Sequence, residues 1–385
     1  MTAPHATSDA ISWSFLAPGC PRPVGGDIAR FELVNALARA GRDKVRVVHL
    51  PTDEKHIRDL SDLPWFAFDP GVEHQFAADL DPDELPDADV VVYSTKLLAI
   101  ALAPSADPAG PRLVAELQRD RKRGWQPILL IQGHGVFPPA VEDLAFRLPG
   151  PKVCVGSWLA DLVVQQGIPP SEVVHIPNGV DPQAFSVMRP IDARAPAVAM
   201  NFDPHPVKAG YAGIEALGLL HQRSSVPGTV FGTTAPWPGV PKGLRFVRPP
   251  SQAMIAAEIY NGSSLFLQPS RHEGFGMCAV ESMACGCALV TTANGGSADY
   301  AFDGETALVC GGEPAEMAEA LGRLVADDAL RTRLASNGMR FVERFRWSTS
   351  AERISTLASE WLAVPDRSRA GDPIDVAEIL HQLRQ

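Results

Sequence analysis

The sequence predicts an α/β protein of two domains, each a parallel sheet covered by helices on both faces. Two observations carry this. Short apolar strands alternate with helical patterns along the chain, the mark of strand–helix–strand units. The alternation then restarts after a Pro- and Arg-containing stretch near 188–196, and a chain of 385 residues is long enough for two ordinary cores.

In the first half, Ile11-Ser12-Trp13-Ser14-Phe15-Leu16 alternates like a strand. After a Pro/Gly-rich loop, Asp27 is placed to cap a helix with apolar positions at Ile28, Phe31, Val34 and Leu37, stopped by Gly41. Strands are expected at 45–50, 90–93, 128–131, 153–155 and 173–176. Helices are expected at 111–123, where a proline suits the first position, and at 158–166. In the second half, strands are expected at 197–200, 229–231, 244–247, 265–267 and 289–291. Helices fit at 210–223, 251–260, 276–285 and 316–326, and a last one from 348 to 363. The expected divisions are 1–188, 189–347 and a helical segment 348–385. The 35 prolines sit mostly between elements, as turn chemistry requires.

Composition narrows the function. A net charge of −11 argues against a nucleic-acid partner, whose phosphates need a basic surface. It also limits membrane contact to a peripheral patch. Arg119, Arg121, Lys122 and Arg123 form a dense basic cluster before Gly124, read as cations complementing a helix C-terminus. No apolar run has the length of a membrane span, and residues 1–10 lack a signal-peptide core. The cysteines (Cys20, Cys154, Cys278, Cys285, Cys287 and Cys310) have neither framework nor metal-ligand spacing. Cys285 and Cys287, one residue apart, are too close for the usual zinc spacing. They read as buried thiols of a reducing cytoplasm, the expected location.

The most informative stretch is Ser270-Arg271-His272-Glu273-Gly274-Phe275-Gly276-Met277-Cys278-Ala279-Val280-Glu281. A buried strand, a glycine-bounded turn and a helix start follow one another here. Unpaired amides and the helix dipole make such a turn an anion site. A carboxylate in that turn is suited to accepting bonds from hydroxyls beside the anion, and Glu281 would reach a second set of hydroxyls further along. A phosphate flanked by hydroxyls describes a nucleotide sugar.

These residues carry a family resemblance. Pro269-Ser270, Glu273, Glu281, Ala284-Cys285-Gly286 and Asn294-Gly295-Gly296 resemble the donor-binding block of retaining glycosyltransferase family 4. Gly25-Gly26, Pro177-Asn178-Gly179-Val180-Asp181 and Phe345-Arg346-Trp347 extend the resemblance over most of the chain. The segments Ile131-Gln132-Gly133 and Ser157-Trp158-Leu159-Ala160 also resemble a subgroup that includes bacterial rhamnosyltransferases. The resemblance implies a GT-B fold: two Rossmann-like domains with parallel sheets facing an interdomain cleft. The first would take the acceptor and the second the donor, with the last helix crossing back to the first.

The resemblance also implies roles. Glu273 would lie near the donor-sugar hydroxyls and the anomeric carbon, and Glu281 would accept bonds from the ribose hydroxyls. Lys208 would neutralise the departing diphosphate, supported by the amides of Gly274, Phe275 and Gly276. Gly25 and Gly26 would face the donor phosphates. His134, in Gln132-Gly133-His134-Gly135 after a strand, would contact the donor sugar or reacting centre. Two departures stand out. The arginine usual before the lysine is absent, leaving Asn201 and His205, so either His205 takes part of the phosphate contact, which is the favoured expectation, or leaving-group stabilisation is weaker than usual. Asp299 follows Asn294-Gly295-Gly296 where a glutamate is usual.

Neither a metal nor a resident cofactor is expected. Asp81/Asp83 and Asp87/Asp89 superficially resemble a metal-binding aspartate motif, but they fall in a proline-rich loop ahead of a strand. The implied activity is transfer of a sugar from a nucleoside diphosphate donor to an acceptor hydroxyl, on a glycan, lipid-linked sugar or small molecule, with retained anomeric configuration. Uridine or deoxythymidine diphosphate donors lead, and the sugar is left open, with rhamnose suggested only by the subgroup resemblance. The alternatives are a GT-B epimerase or phosphorylase, which needs other catalytic residues, and a non-catalytic nucleotide-sugar scaffold, which would not need Lys208 and both glutamates.

Overall fold

The computed structural model describes residues 10–20, 22–52, 56–103, 108–118, 125–236, 238–248 and 251–363, with 376, 379–380 and 383 beyond them. The chain divides into two compact units: Met1–Val155 with Leu159–Pro177 and Trp347–Gln385, and Gly156–Trp158 with Asn178–Arg346. The basic cluster at 119–124 and the N-terminal residues 1–9 lie outside the described residues.

The first unit contains β1 (Ser12–Pro18), α1 (Gly25–Arg39), β2 (Lys44–Leu50), β3 (Val72–Phe76), β4 (Val90–Ser94), α2 (Thr95–Ala101), α3 (Gly110–Gln118), β5 (Gln126–Ile131), α4 (Pro139–Arg147), β6 (Lys152–Cys154), α5 (Ser157–Gln165, its first two residues counted with the second unit) and β7 (Val173–His175). The strands form a seven-stranded parallel sheet ordered β3-β2-β1-β4-β5-β6-β7. Val90-Val91-Val92-Tyr93 is buried throughout, as a central strand covered on both faces must be. The order reverses between β1 and β4, so the carboxyl ends of these strands open a crevice.

The second unit contains β8 (Val198–Asn201), α6 (Gly210–Ser224), β9 (Gly228–Phe231), β10 (Leu244–Val247), α7 (Gln252–Met254), β11 (Leu265–Gln268), α8 (Met277–Ala284), β12 (Ala288–Thr292), β13 (Ala307–Cys310), α9 (Pro314–Ala326) and α10 (Asp328–Val342). Its six-stranded parallel sheet is ordered β10-β9-β8-β11-β12-β13, with the reversal between β8 and β11. Met200, Leu217, Leu267, Val290 and Leu321 meet in its core.

Several expectations are corrected. Asp27 does not cap α1. Val24 precedes that helix in extended conformation, and Asp27 lies inside its first turn. Its carboxylate is buried against the Arg30 guanidinium and stands 2.8 Å from Lys96 Nζ. Burial pushes this carboxyl up, but Arg30 and Lys96 more than offset it and hold it below the ordinary range. The helix expected at 251–260 is short and continues as a π-helical turn, Ile255–Tyr260, closed by Asn261. Both the backbone N–H and the side-chain amide of Asn261 donate to Ala256 O, at 3.1 and 2.9 Å. β3, α2, α4, β13 and α10 were not anticipated. β3 reads Val-Glu-His-Gln-Phe, too polar to stand out, because it forms an edge.

The last helix, α11 (Trp347–Leu362), belongs to the first unit. Ser350 Oγ donates to Pro177 O at 2.7 Å, and the Arg353 guanidinium to His175 O at 2.6 Å. Ser355 Oγ donates to Asp43 at 3.1 Å. The same carboxylate accepts from Ile11 N at 3.2 Å and from the buried indole of Trp13 at 3.0 Å. Among the described residues, no helix is long and apolar enough to cross a membrane. Asp43→Ala leaves the Trp13 N–H buried without an acceptor and is expected to cost about 1–3 kcal/mol. Urea denaturation of the variant beside wild type measures that loss.

Candidate functional site

The reversal between β8 and β11 sets two loops side by side. Residues 202–209 leave β8, and residues 269–276 leave β11. Arg271 N and His272 N donate to Val207 O at 2.8 and 3.3 Å, which pins one loop to the other. Lys208 ends a short 3-10 turn, Pro206–Lys208. Its Nζ lies 2.8 Å from Glu273 Oε2. Burial favours the neutral amine, but the Glu273 charge and hydrogen bond outweigh it and raise the lysine above its usual pKa. The other carboxylate oxygen, Glu273 Oε1, accepts from Gln268 Nε2 at 2.8 Å and from Ser270 Oγ at 2.7 Å. Sequence reasoning missed Gln268. The signal was a polar residue ending the apolar run Leu265-Phe266-Leu267.

The turn that follows is fixed by backbone constraints. Gly276 has φ +97°, so α8 begins at Met277, one residue later than expected, and no side chain caps it. A Cβ on Gly276 would fall 2.3 Å from the buried Tyr300 hydroxyl. Phe275 is buried edge-on against Tyr300 and Phe345. Gly274 O accepts from Trp158 Nε1 at 3.1 Å. In a trans peptide the Phe275 N–H therefore points away from the indole. Gly295, at φ +85°, lies flat against the same indole, where a Cβ would approach to 2.8 Å. An uncapped helix start with amides held in one direction is suited to a phosphate.

Glu281 is the fifth residue of α8, and its Oε2 lies 3.3 Å from the Tyr260 hydroxyl. His205 is exposed in the same loop as Lys208, and its Nδ1 accepts from Val207 N at 3.4 Å. Asp299 accepts from Ser157 N at 3.0 Å and from the Ser157 hydroxyl. Cys278 accepts from the Asn201 amide at 3.4 Å, and burial pushes its thiol up to about 12, so it stays protonated.

The remaining candidates lie in the first unit, at carboxyl ends of its strands. Gly25 opens α1, and Gly26 O accepts from Gln132 Nε2 at 2.7 Å. His134 Nδ1 stands 2.8 Å from Glu142 Oε2, and its ring stacks on Phe146. The Glu142 carboxylate also accepts from the amides of Gly135, Val136 and Phe137 at 3.0–3.1 Å. The loop thus holds the Glu142 carboxylate still beside the ring, although the approach to Nδ1 lacks hydrogen-bond geometry. Asp81 and Asp83 both pair with Arg112, at 3.2 and 2.7 Å.

Two parallel α/β units with these strand orders and a returning last helix define the GT-B class. Sucrose-phosphate synthase from Thermosynechococcus elongatus superposes with a TM-score of 0.70 at 17% identity, covering 91% of this chain and 99% of that one. Anabaena HepE in complex with UDP and glucose gives 0.66 at 17% identity, covering 91% and 100%. The catalytic domain of Arabidopsis thaliana starch synthase IV bound to ADP and acarbose gives 0.65 at 13%, covering 92% and 100%. Residues 252–341 match the family described as glycosyl transferases group 1. A D-inositol 3-phosphate glycosyltransferase of Corynebacterium jeikeium is 35% identical over 32% of this chain and 29% of its own length. One from Acidothermus cellulolyticus is 30% identical over 59% of this chain and 48% of its own. The matches therefore span less than two thirds of these relatives.

Gly276→Ala is expected to destabilise by about 2–4 kcal/mol, combining left-handed strain with the clash on Tyr300. Adding Tyr300→Phe should recover the clash share only, as denaturant midpoints would register. The raised pKa of Lys208 has a definite sign. Its stabilisation is complete below the ordinary lysine value of 10.5 and fades as pH rises through the higher folded value. The melting-temperature gap between wild type and Lys208→Met should therefore narrow above that pH.

Proposed function

We propose that the protein is a retaining glycosyltransferase moving a sugar from a nucleoside diphosphate sugar to an acceptor hydroxyl without a metal. The observation that carries this reading is the Lys208–Glu273 pair beside the uncapped start of α8, with Glu281 further along that helix. In this reading the diphosphate rests on the amides at 274–276 and on Lys208. Glu273 takes a hydroxyl of the donor sugar, and Glu281 takes the ribose hydroxyls, with Tyr260 at its back. His205 adds a contact at the rim of the phosphate position. Gly25, Gly26 and His134 are the first unit's candidates for contact with the reacting groups.

The proposed step is a front-face displacement. The bond from the anomeric carbon to the diphosphate oxygen breaks, and the acceptor oxygen bonds to that carbon on the same face. The acceptor proton passes to the departing phosphate oxygen. Charge building on the leaving group meets Lys208 and preorganised amides, which cost no reorganisation at the moment of reaction. Glu273, with its oxygens engaged by Lys208, Gln268 and Ser270, is suited to an electrostatic role and badly placed for a nucleophile. The relatives named above are D-inositol 3-phosphate glycosyltransferases. For this chain the acceptor is proposed only as a hydroxyl-bearing molecule.

Two substitutions separate the assigned roles. Glu281→Ala should weaken nucleoside diphosphate binding by about tenfold, the worth of a charge-assisted hydrogen bond. Lys208→Ala should slow transfer by about 10²–10³, as loss of a preorganised charge does. Calorimetry and initial-rate kinetics across a nucleotide-sugar panel give both readouts. Unchanged nucleotide affinity in the first variant removes the ribose assignment, and full turnover in the second removes the lysine from the mechanism.

A further inference from the structure

Gln268 ends β11, a strand otherwise made of leucine and phenylalanine, and its side chain is only 7% exposed. Its amide nitrogen donates to Ser270 Oγ and to Glu273 Oε1, both at 2.8 Å. Ser270, itself 1% exposed, passes its own hydrogen to the same Glu273 oxygen at 2.7 Å. The chemistry fixes the direction of the amide. A carboxylate oxygen only accepts, so the nitrogen end must face it.

The other end of that amide is the informative one. Gln268 Oε1 is buried and has no hydrogen-bond partner among the described residues. Such an orphan costs about 1–3 kcal/mol. A leucine would fill the strand position with no such cost. The energetic penalty is coupled to a geometric result, which is the aim of Glu273.

Lone pairs can be counted at that carboxylate. An ionised carboxylate offers about four acceptor positions, two on each oxygen. Gln268 and Ser270 occupy both on Oε1, and Lys208 occupies one on Oε2. A single position is left, on the oxygen beside Lys208. We infer that Gln268 is a positioning residue that commits Glu273 Oε1 to the protein and leaves Oε2 to read one hydroxyl of the donor sugar. This rests on the reading of Glu273 as the sugar contact and extends it to the residue that sets its specificity.

The test compares two dissociation constants, one for a nucleotide sugar and one for its own nucleoside diphosphate. The probes are UDP-glucose, dTDP-rhamnose, GDP-mannose and ADP-glucose, each against UDP, dTDP, GDP or ADP. Gln268→Leu should weaken the nucleotide sugar by about tenfold, the worth of one charge-assisted hydrogen bond. It should leave the diphosphate constant unchanged and the melting temperature no lower than wild type. Gln268→Glu serves as a second variant. It sets a second carboxylate against Glu273, so nucleotide-sugar affinity should be lost at pH 8 and recover toward pH 5, where a shared proton restores the donor. Gln268→Leu with both constants unchanged overturns the inference, and so do parallel losses of both ligands with a lowered melting temperature. If Glu273→Ala still shifts the ratio in those cases, the donor reading stands alone. A ratio unmoved by Glu273→Ala, or no nucleotide sugar bound by wild type, removes both.

Discussion

The contact between Lys208 and Glu273 organises the second unit's candidate site. It joins the loop after β8 to the loop after β11 at the place where strand order reverses. Parallel strands on either side of a reversal send their following helices to opposite faces, so the two loops diverge and leave a crevice. Two backbone bonds to Val207 O close the base of that crevice, and the ion pair sits above them. The lysine remains partly exposed, and such pairs contribute about 1 kcal/mol or less. A weak pair between well-positioned charges is easily exchanged for a ligand, and both partners are already aimed when the ligand arrives.

Around that pair, direction comes from the backbone more than from side chains. Gly276 takes a left-handed conformation that brings its Cα under the Tyr300 hydroxyl, and Gly295 lies against Trp158. Trp158 then fixes the Gly274 carbonyl. Asp299, standing where a glutamate is usual in the resemblance, accepts from the backbone and hydroxyl of Ser157. The shorter side chain thus secures the Gly156–Trp158 segment that carries the indole. Of the two family departures, this one has a structural account. His205 sits exposed beside Lys208 but uses one ring nitrogen to hold its own turn, which leaves Nε2 as its outward group.

Buried charges in the first unit follow the same logic of support. Asp27 is paired with both Arg30 and Lys96 beneath the start of α1, and Arg30 also donates to Leu16 O at 3.1 Å. A buried carboxylate without those cations would be costly, so the group is retained as a set or not at all. It holds the first turn of the helix that begins at Gly25. Glu142 stands beside His134 in a comparable way, its carboxylate fixed by three amides of the same loop and the ring stacked on Phe146.

Hydrophobic period and glycine placement by themselves determined the class of fold, the central strands of both sheets and the glycine turn before α8. Buried parallel strands must be apolar throughout, and a left-handed turn at a helix start requires glycine. The edge strand β3 escaped because one side of it meets solvent and its composition is mixed. The role of Asp27 escaped because a capping residue and a buried ion-pair partner are written with the same letter. Arg30 is three residues away, but Lys96 comes from a different strand–helix unit. Gln268 escaped for a related reason: a polar residue at a strand end looks like the beginning of a loop. Only the tertiary structure placed its amide against Glu273 and left its carbonyl buried without a partner among the described residues. Periodicity records which face of an element is covered, whereas the partner of a polar group depends on segments far apart in the chain that pack together only in the folded state.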